Sequence, residues 1–168
     1  MRERSISEIG VVLVALVPAL LGDFIFDAVF IGITVVAFRE ASTLLGISRQ
    51  EHVSLGIVAI IISALLAWYY PDGRYLPMAL AICVLLPLAW TIFQDGAVTD
   101  RRDWASLAGA TLYLALPTFA ALSIRGMEGT ADHGWFNSFA DAVSIVNGTA
   151  IGLGWFLTAL LVTWLSDT

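Results

Sequence analysis

Asp167 is the residue of this chain whose position is most suited to chemistry. It follows the apolar run 143–165 and so stands where a helix ends. A carboxylate at a helix C-terminus is disfavoured by the helix dipole, by about a few tenths of a kcal/mol. A bound divalent metal would offset that cost. The alternative is a solvated chain end, and we take Asp167 as the candidate metal ligand.

Other charged residues lie close to predicted helix ends. Asp23 and Asp27 are four positions apart, which puts them on one face near the start of a helix, and Asp23 is predicted to cap it. Asp27 lies deeper, where an acid is costly and often functional. Arg39 and Glu40 end the same helix and suggest a surface ion network. Arg125 is predicted to extend its guanidinium from the membrane to the polar interface.

The remaining reactive side chains are isolated. His52 and His133 have no partners at metal-ligand spacing, and the single Cys83 excludes an internal disulfide. Every base is Arg, so a P-loop lysine and a Schiff-base lysine are excluded, and no basic patch points to nucleic acid. Gly148 and Gly152 form a GxxxG pair that indicates close helix packing in the last apolar run.

The composition predicts the scaffold that must position these residues. Hydrophobic residues make up 59% of the 168 positions and charged residues 13%, against roughly 45–50% and 25% in soluble domains. The sequence therefore predicts an all-α, polytopic integral membrane helix bundle of about six transmembrane helices in a single membrane domain, 1–168. The predicted helices are residues 6–21, 24–45, 53–70, 76–93, 104–124 and 143–165, with polar loops that include 46–52, 94–103 and 125–141.

The arginines predict the orientation. With six spans and a cytoplasmic N-terminus, the inner loops hold six of the eight arginines and the outer loops hold Arg74 and Arg125, as the positive-inside rule expects. A single long first helix over 9–38 is the alternative, and it divides the arginines equally. We prefer two helices broken at Gly22 and Asp23. Asp167 then lies on the cytoplasmic side of a multi-pass protein of the inner or plasma membrane.

Three segments resemble the bacterial phosphatidate cytidylyltransferase (CDP-diacylglycerol synthase) family. Residues 38–46, Phe-Arg-Glu-Ala-Ser-Thr-Leu-Leu-Gly, are similar to the family's second helix end. Residues 109–125 are similar to its Gly-x-x-Tyr helix that ends in an arginine. Residues 161–168, Leu-Val-Thr-Trp-Leu-Ser-Asp-Thr, are similar to the helix leading into the family's Trp-x-x-Asp-Thr/Ser-Gly-Ala-Tyr segment. This third match is the most specific, and together the matches extend over essentially the whole chain.

The resemblance implies a transferase that makes CDP-diacylglycerol and diphosphate from CTP and phosphatidate, with Mg²⁺ as cofactor. Asp167 matches the first acidic residue of the family's metal and nucleotide site. The Gly-Ala-Tyr continuation, the Ser-Pro-x-Lys-Thr segment and the C-terminal signature do not occur in residues 1–168. We therefore expect a partial family member, the N-terminal and middle part, that is inactive in isolation. Family members are thought to form homodimers, with which the GxxxG pair is compatible.

Two other functions stay open at this point. A complete, non-catalytic membrane scaffold or regulatory subunit would need no further motifs. A transporter or channel part would need several ionisable residues facing one pathway, and Asp27 is the only deep acid in the predicted spans.

Overall fold

The computed structural model describes residues 14–47, 50–93, 101–145 and 148–166, and these ranges are helical, with no β-strand. The all-α prediction is confirmed. Seven helices are present in them: α1 (14–21), α2 (Asp23–Leu44), α3 (Gln50–Tyr69), α4 (Leu76–Phe93), α5 (Arg101–Arg125), α6 (Gly134–Val143) and α7 (Ala150–Ser166). Within the described residues, α3 and the Trp104–Arg125 stretch of α5 are long and apolar enough to cross a membrane. These two helices suggest a membrane protein.

The break between the first two helices lies at Gly22. This residue has φ +69°, a conformation that favours glycine, and its N–H donates to the Pro18 carbonyl at 2.7 Å. α1 therefore ends at residue 21 and α2 begins at Asp23. The prediction of two helices is confirmed over the described part, residues 14–44, and the start of the first predicted helix lies outside the described residues.

Helices α3 and α5 begin three residues earlier than predicted, at Gln50 and Arg101. Their first turns are polar, and Gln, Glu and Arg are good helix formers. Glu51 also lies in the first turn of α3, where a carboxylate complements the helix dipole. The apolar runs in the sequence identified only the apolar parts of α3 and α5, and each helix also includes the polar turn that precedes its apolar part.

The predicted loop 125–141 is wrong over its second half, because α6 occupies Gly134–Val143. The predicted last helix is also wrong at its start, since α7 begins at Ala150. Ser144, with φ −87° and ψ 143°, ends α6 in an extended conformation, and Gly148 has φ +79°. α6 combines aromatic with polar residues at helical spacing, and a scan for long apolar runs does not detect such a short amphipathic helix.

The chain forms two compact units. One contains the described residues up to Val29 together with those from Ile124 onward, and the other is Phe30–Ser123. The Phe30–Ser123 unit has a core that includes Phe38, Ile60, Cys83 and Leu107. The Phe38 ring packs directly against Gly56, where a Cβ would overlap it. α2 and α5 each contribute residues to both units.

Several buried hydroxyls inside the Phe30–Ser123 unit, those of Thr34, Thr118 and Ser63, have hydrogen-bond partners. The hydroxyls of Thr34 in α2 and Thr118 in α5 lie 2.7 Å apart, and each is also bonded to a carbonyl of its own helix. Ser63 of α3 donates to the Ala59 carbonyl and lies 3.4 Å from the Cys83 sulfur of α4. These contacts satisfy hydroxyls that would be costly to bury alone.

Candidate functional site

The last carbonyl oxygens of α1 accept hydrogen bonds from residues far along the chain. Arg125, the last residue of α5, is only 3% exposed, and its Nε donates to the Ala19 carbonyl at 2.8 Å. The Ser144 hydroxyl donates to the Leu20 carbonyl at 3.1 Å, and the Ile145 N–H donates to the Leu21 carbonyl at 2.8 Å. The last carbonyls of a helix lack partners within it, and here each of these three finds one elsewhere.

Arg125 and Ser144 are themselves joined, because the Nη2 of Arg125 donates to the Ser144 Oγ at 3.0 Å. We call Arg125, Ser144 and the carbonyls of residues 19–21 the arginine junction. A cation is stabilising beside the carbonyl end of a helix. Arg125 is the last residue of α5, but its guanidinium lies at the carbonyl end of α1. The junction gives a buried positive charge the acceptors that it needs.

Two glycines make room for the junction. A Cβ at Gly22 would overlap the Arg125 guanidinium. A Cβ at Gly152 would lie 2.5 Å from the Arg125 carbonyl oxygen and 2.8 Å from those of Ile124 and Met127. Since these are backbone atoms, they cannot move aside cheaply. The first turn of α7 therefore packs directly on the carbonyl end of α5.

The structure corrects two predictions here. Arg125 does not extend to the polar interface but is buried and bonded to protein acceptors. Gly148 and Gly152 do not form a GxxxG pair within one helix, because Gly148 precedes α7. Only Gly152 makes the close approach expected of such a motif, and it does so against carbonyl oxygens rather than against a second helix face.

An apolar groove of about 510 Å³ lies between the end of α5 and residues 155–163 of α7, and its lining includes Ile124, the sequence neighbour of Arg125. Thr158 and Thr163 line it, yet each hydroxyl donates to a carbonyl of its own helix at 2.8 Å. The wall is thus suited to hydrocarbon. Sequence reasoning did not identify it, because no motif marks its lining residues, which are Ile124, Met127, Trp155, Thr158, Ala159, Val162 and Thr163.

The model of the cytidylyltransferase family matches residues 2–168 of this chain. The chain belongs to the cytidylyltransferase family. Comparison with curated proteins and with solved structures gives no match. Membership of the cytidylyltransferase family supports a nucleotidyltransferase-like function, and it confirms the family resemblance found in the sequence.

The structure describes only some of the predicted site residues of this cytidylyltransferase-family chain. Asp167, the predicted metal ligand, lies outside the described residues. Asp23 opens α2, and its capping role stays a prediction. Asp27 is half-buried in α2, whereas Arg39 and Glu40 are exposed near its C-terminal end.

The other isolated side chains have structural positions. His52 is buried in the first turn of α3, with no hydrogen-bond partner for Nε2, and His133 is exposed just before α6. Cys83 is buried in α4. Across the described ranges, no three His, Cys, Asp or Glu residues converge as metal ligands would. These residues therefore do not fit a magnesium site, and Asp167 would need ligands from outside them.

Proposed function

We propose that this chain is the membrane-embedded part of a phosphatidate cytidylyltransferase. Family membership over residues 2–168 is the observation that carries the proposal. The two helices able to cross a membrane support a multi-pass location in the inner or plasma membrane. The apolar groove supports a lipid substrate, since its wall suits an acyl chain.

In the proposed reaction, a phosphate oxygen of phosphatidate attacks the α-phosphorus of CTP. The bond from that phosphorus to the bridging oxygen of the β-phosphate breaks, and diphosphate leaves with the electron pair. CDP-diacylglycerol is the product. Magnesium, when bound, would neutralise the charge of the triphosphate and of the leaving diphosphate.

We assign two roles to this chain's own residues. Asp167 would contribute one carboxylate to the metal and nucleotide site on the cytoplasmic side. The apolar groove would hold one acyl chain near the arginine junction, whose buried bonds join the end of α1 to the last residue of α5 and to Ser144 after α6. Mg²⁺ is usually held by one or two carboxylates plus substrate phosphates. The described residues supply no further acid cluster, and we expect residues 1–168 alone to be inactive.

The reaction is tested with membranes that contain the gene product as its coding DNA encodes it. Radiolabelled CTP and phosphatidate should give labelled CDP-diacylglycerol. Asp167→Asn should lower the rate by at least about 100-fold, because it removes a metal ligand, while Asp132→Asn, at an exposed loop position, should leave the rate unchanged. Transfer from CTP to a different acceptor would refute phosphatidate as the substrate, and normal activity of Asp167→Asn would refute the metal site.

The groove is tested separately by lipid retention. Val162→Trp should fill the groove and reduce the diacyl lipid that stays with the purified chain in native mass spectrometry. Leu161→Trp is the matched control, because Leu161 is the exposed neighbour in α7 and is not among the groove residues. Equal retention by the two variants would contradict a role of the groove in holding lipid.

A non-catalytic membrane scaffold or regulatory subunit is the second candidate. One observation favours it: the buried, charged side chain of Arg125 makes structural hydrogen bonds, to a carbonyl at the end of α1 and to the Ser144 hydroxyl. The same assay distinguishes the two functions, since a scaffold gives no CTP-dependent product in any form of the gene product.

A further inference from the structure

Helix α6 has an apolar face that its own unit does not cover. Trp135, Phe139 and Ala142 are exposed, and the two rings are 72% and 42% accessible. Their spacing of four and three residues places them on one side of the helix. The Trp135 ring lies edge-on to Phe136, with centroids 5.6 Å apart. The Phe136 ring also lies 6.2 Å from the Phe139 ring between centroids and so links the two exposed rings. We call the exposed surface of Trp135, Phe139 and Ala142 the α6 aromatic face.

A neighbouring side of α6 is packed. Phe136, Ala140 and Val143 repeat the same spacing one residue later and belong to a core with Ala150 and Leu153 of α7. This packing joins the helix to the unit that contains α7. The apolar surface of α6 is wider than that contact requires, because Trp135 and Phe139 add a second apolar strip that is exposed and is not part of this core.

The polar side of α6 is fixed by hydrogen bonds. The Asn137 side chain accepts from the Ala131 N–H at 2.7 Å and donates to the Ala131 carbonyl at 2.9 Å. Asp141 accepts from the Gly148 N–H at 3.0 Å. These bonds fix the orientation of α6 about its own axis. The α6 aromatic face therefore cannot turn toward the core.

We propose that α6 lies flat in the membrane interface and inserts the α6 aromatic face among lipids. Ten residues of helix are about 15 Å long, half of the roughly 30 Å hydrocarbon core, so α6 cannot span a bilayer. It lies between the end of α5 and the start of α7, which is where the chain meets a membrane surface if these two helices enter the bilayer. Trp is enriched at this depth because its ring is amphipathic.

A lipid surface fits this face better than a second copy of the chain. Large aromatic side chains bury about 150–250 Å² each, so the exposed parts of Trp135 and Phe139 offer at most about 300 Å². A stable dimer needs about 800 Å² from each partner. Phe136, which the Trp135 ring contacts, lines one groove together with the exposed Trp155 of α7.

The charges indicate which lipids would be bound. The segment between α5 and α7 carries Glu128, Asp132 and Asp141 and contains no Lys or Arg. It cannot attract anionic headgroups as basic amphipathic helices do. Insertion would therefore depend on aromatic burial in zwitterionic lipid, such as phosphatidylcholine.

The proposal is tested by spin labels on the 168-residue chain in phosphatidylcholine nanodiscs, with Cys83→Ala as background. Trp135→Cys and Phe139→Cys carry the label on the α6 aromatic face. Asp141→Cys is the matched control, because Asp141 is exposed on the opposite side of the same helix, and the two Asn137–Ala131 bonds still fix α6 in this variant. We expect labels at 135 and 139 to be accessible to oxygen and shielded from a water-soluble nickel chelate, at a depth of about 5–10 Å. The label at 141 should show the reverse.

Two results would overturn the proposal. Nickel accessibility at 135 and 139 equal to that at 141 would place the face in water. Shielding from both oxygen and nickel would show that protein, such as a second copy, covers it. Two labelled positions on the face keep the test decisive if one substitution prevents folding, and neither readout depends on the cytidylyltransferase reaction.

Discussion

Arg125 supplies a hydrogen bond that α1 cannot make within itself. Its partner is a backbone carbonyl 106 positions away, and its second partner is the Ser144 hydroxyl. An arginine near a helix end is a familiar surface feature, and the sequence pattern therefore predicted an interfacial side chain. Backbone acceptors carry no side-chain signature, so the sequence alone could not identify them.

Arg125→Lys should lower the free energy of unfolding by about 2–4 kcal/mol. Lysine carries one ammonium group and cannot reproduce the planar fork that reaches both Ala19 and Ser144. Arg74→Lys is the matched control, since Arg74 forms an exposed pair with Asp72, and such pairs are worth about 0–1 kcal/mol. Thermal unfolding in detergent measures both. Equal melting temperatures for the two variants would contradict the role of the arginine junction.

At the scale of elements, the position of α7 depends on Gly152, a residue without a side chain. Gly152 lets its first turn meet the carbonyl end of α5 at backbone distance. The GxxxG pattern correctly predicted a close approach at Gly152, but it wrongly placed Gly148 within the same helix. The sequence indicates a small residue at this position. It does not indicate which backbone lies against that residue, because this depends on the chain path set by Ser144 and Gly148 before α7 begins.

Gly152→Ala should destabilise the chain by about 2–3 kcal/mol, because its methyl group would press on carbonyl oxygens 2.5–2.8 Å away. Gly154→Ala, in the same helix, meets only the Phe136 ring edge at 3.4 Å. There the helix propensity of alanine, worth about 0.5–1 kcal/mol, should offset the contact. Comparison of the two melting temperatures measures the difference, and a Gly152→Ala protein as stable as Gly154→Ala would disprove the tight contact.

At the scale of the whole molecule, long apolar runs predicted most helices well. The bounds of α4 agree at both ends, and the break at Gly22 was located correctly. Short α6 was missed because its apolar residues are interrupted by Asn137, Ser138 and Asp141. The candidate metal site stays a prediction, since Asp167 lies outside the described residues and no local sequence pattern supplies its partner ligands.

The orientation predicted from the arginines can be tested by labelling single cysteines in a Cys83→Ala background. Asp72→Cys should react with a membrane-impermeant maleimide on intact cells, because the turn after α3 is predicted to lie outside. Leu44→Cys should react only after permeabilisation, since the end of α2 is predicted to be cytoplasmic. Both positions are exposed in the structure, so burial does not explain a difference. The reverse labelling pattern would show the opposite orientation.

The arginine junction also sets an order of events during synthesis. The Ala19 carbonyl precedes Arg125 by 106 positions, and the Leu20 carbonyl precedes Ser144 by 124. A ribosome adds about 5–20 residues per second, so the end of α1 waits about 5–25 s for its partners. During that time the last carbonyls of nascent α1 lack these partners, so we expect this segment to depend on a membrane insertase or a chaperone until Arg125 and Ser144 have been made.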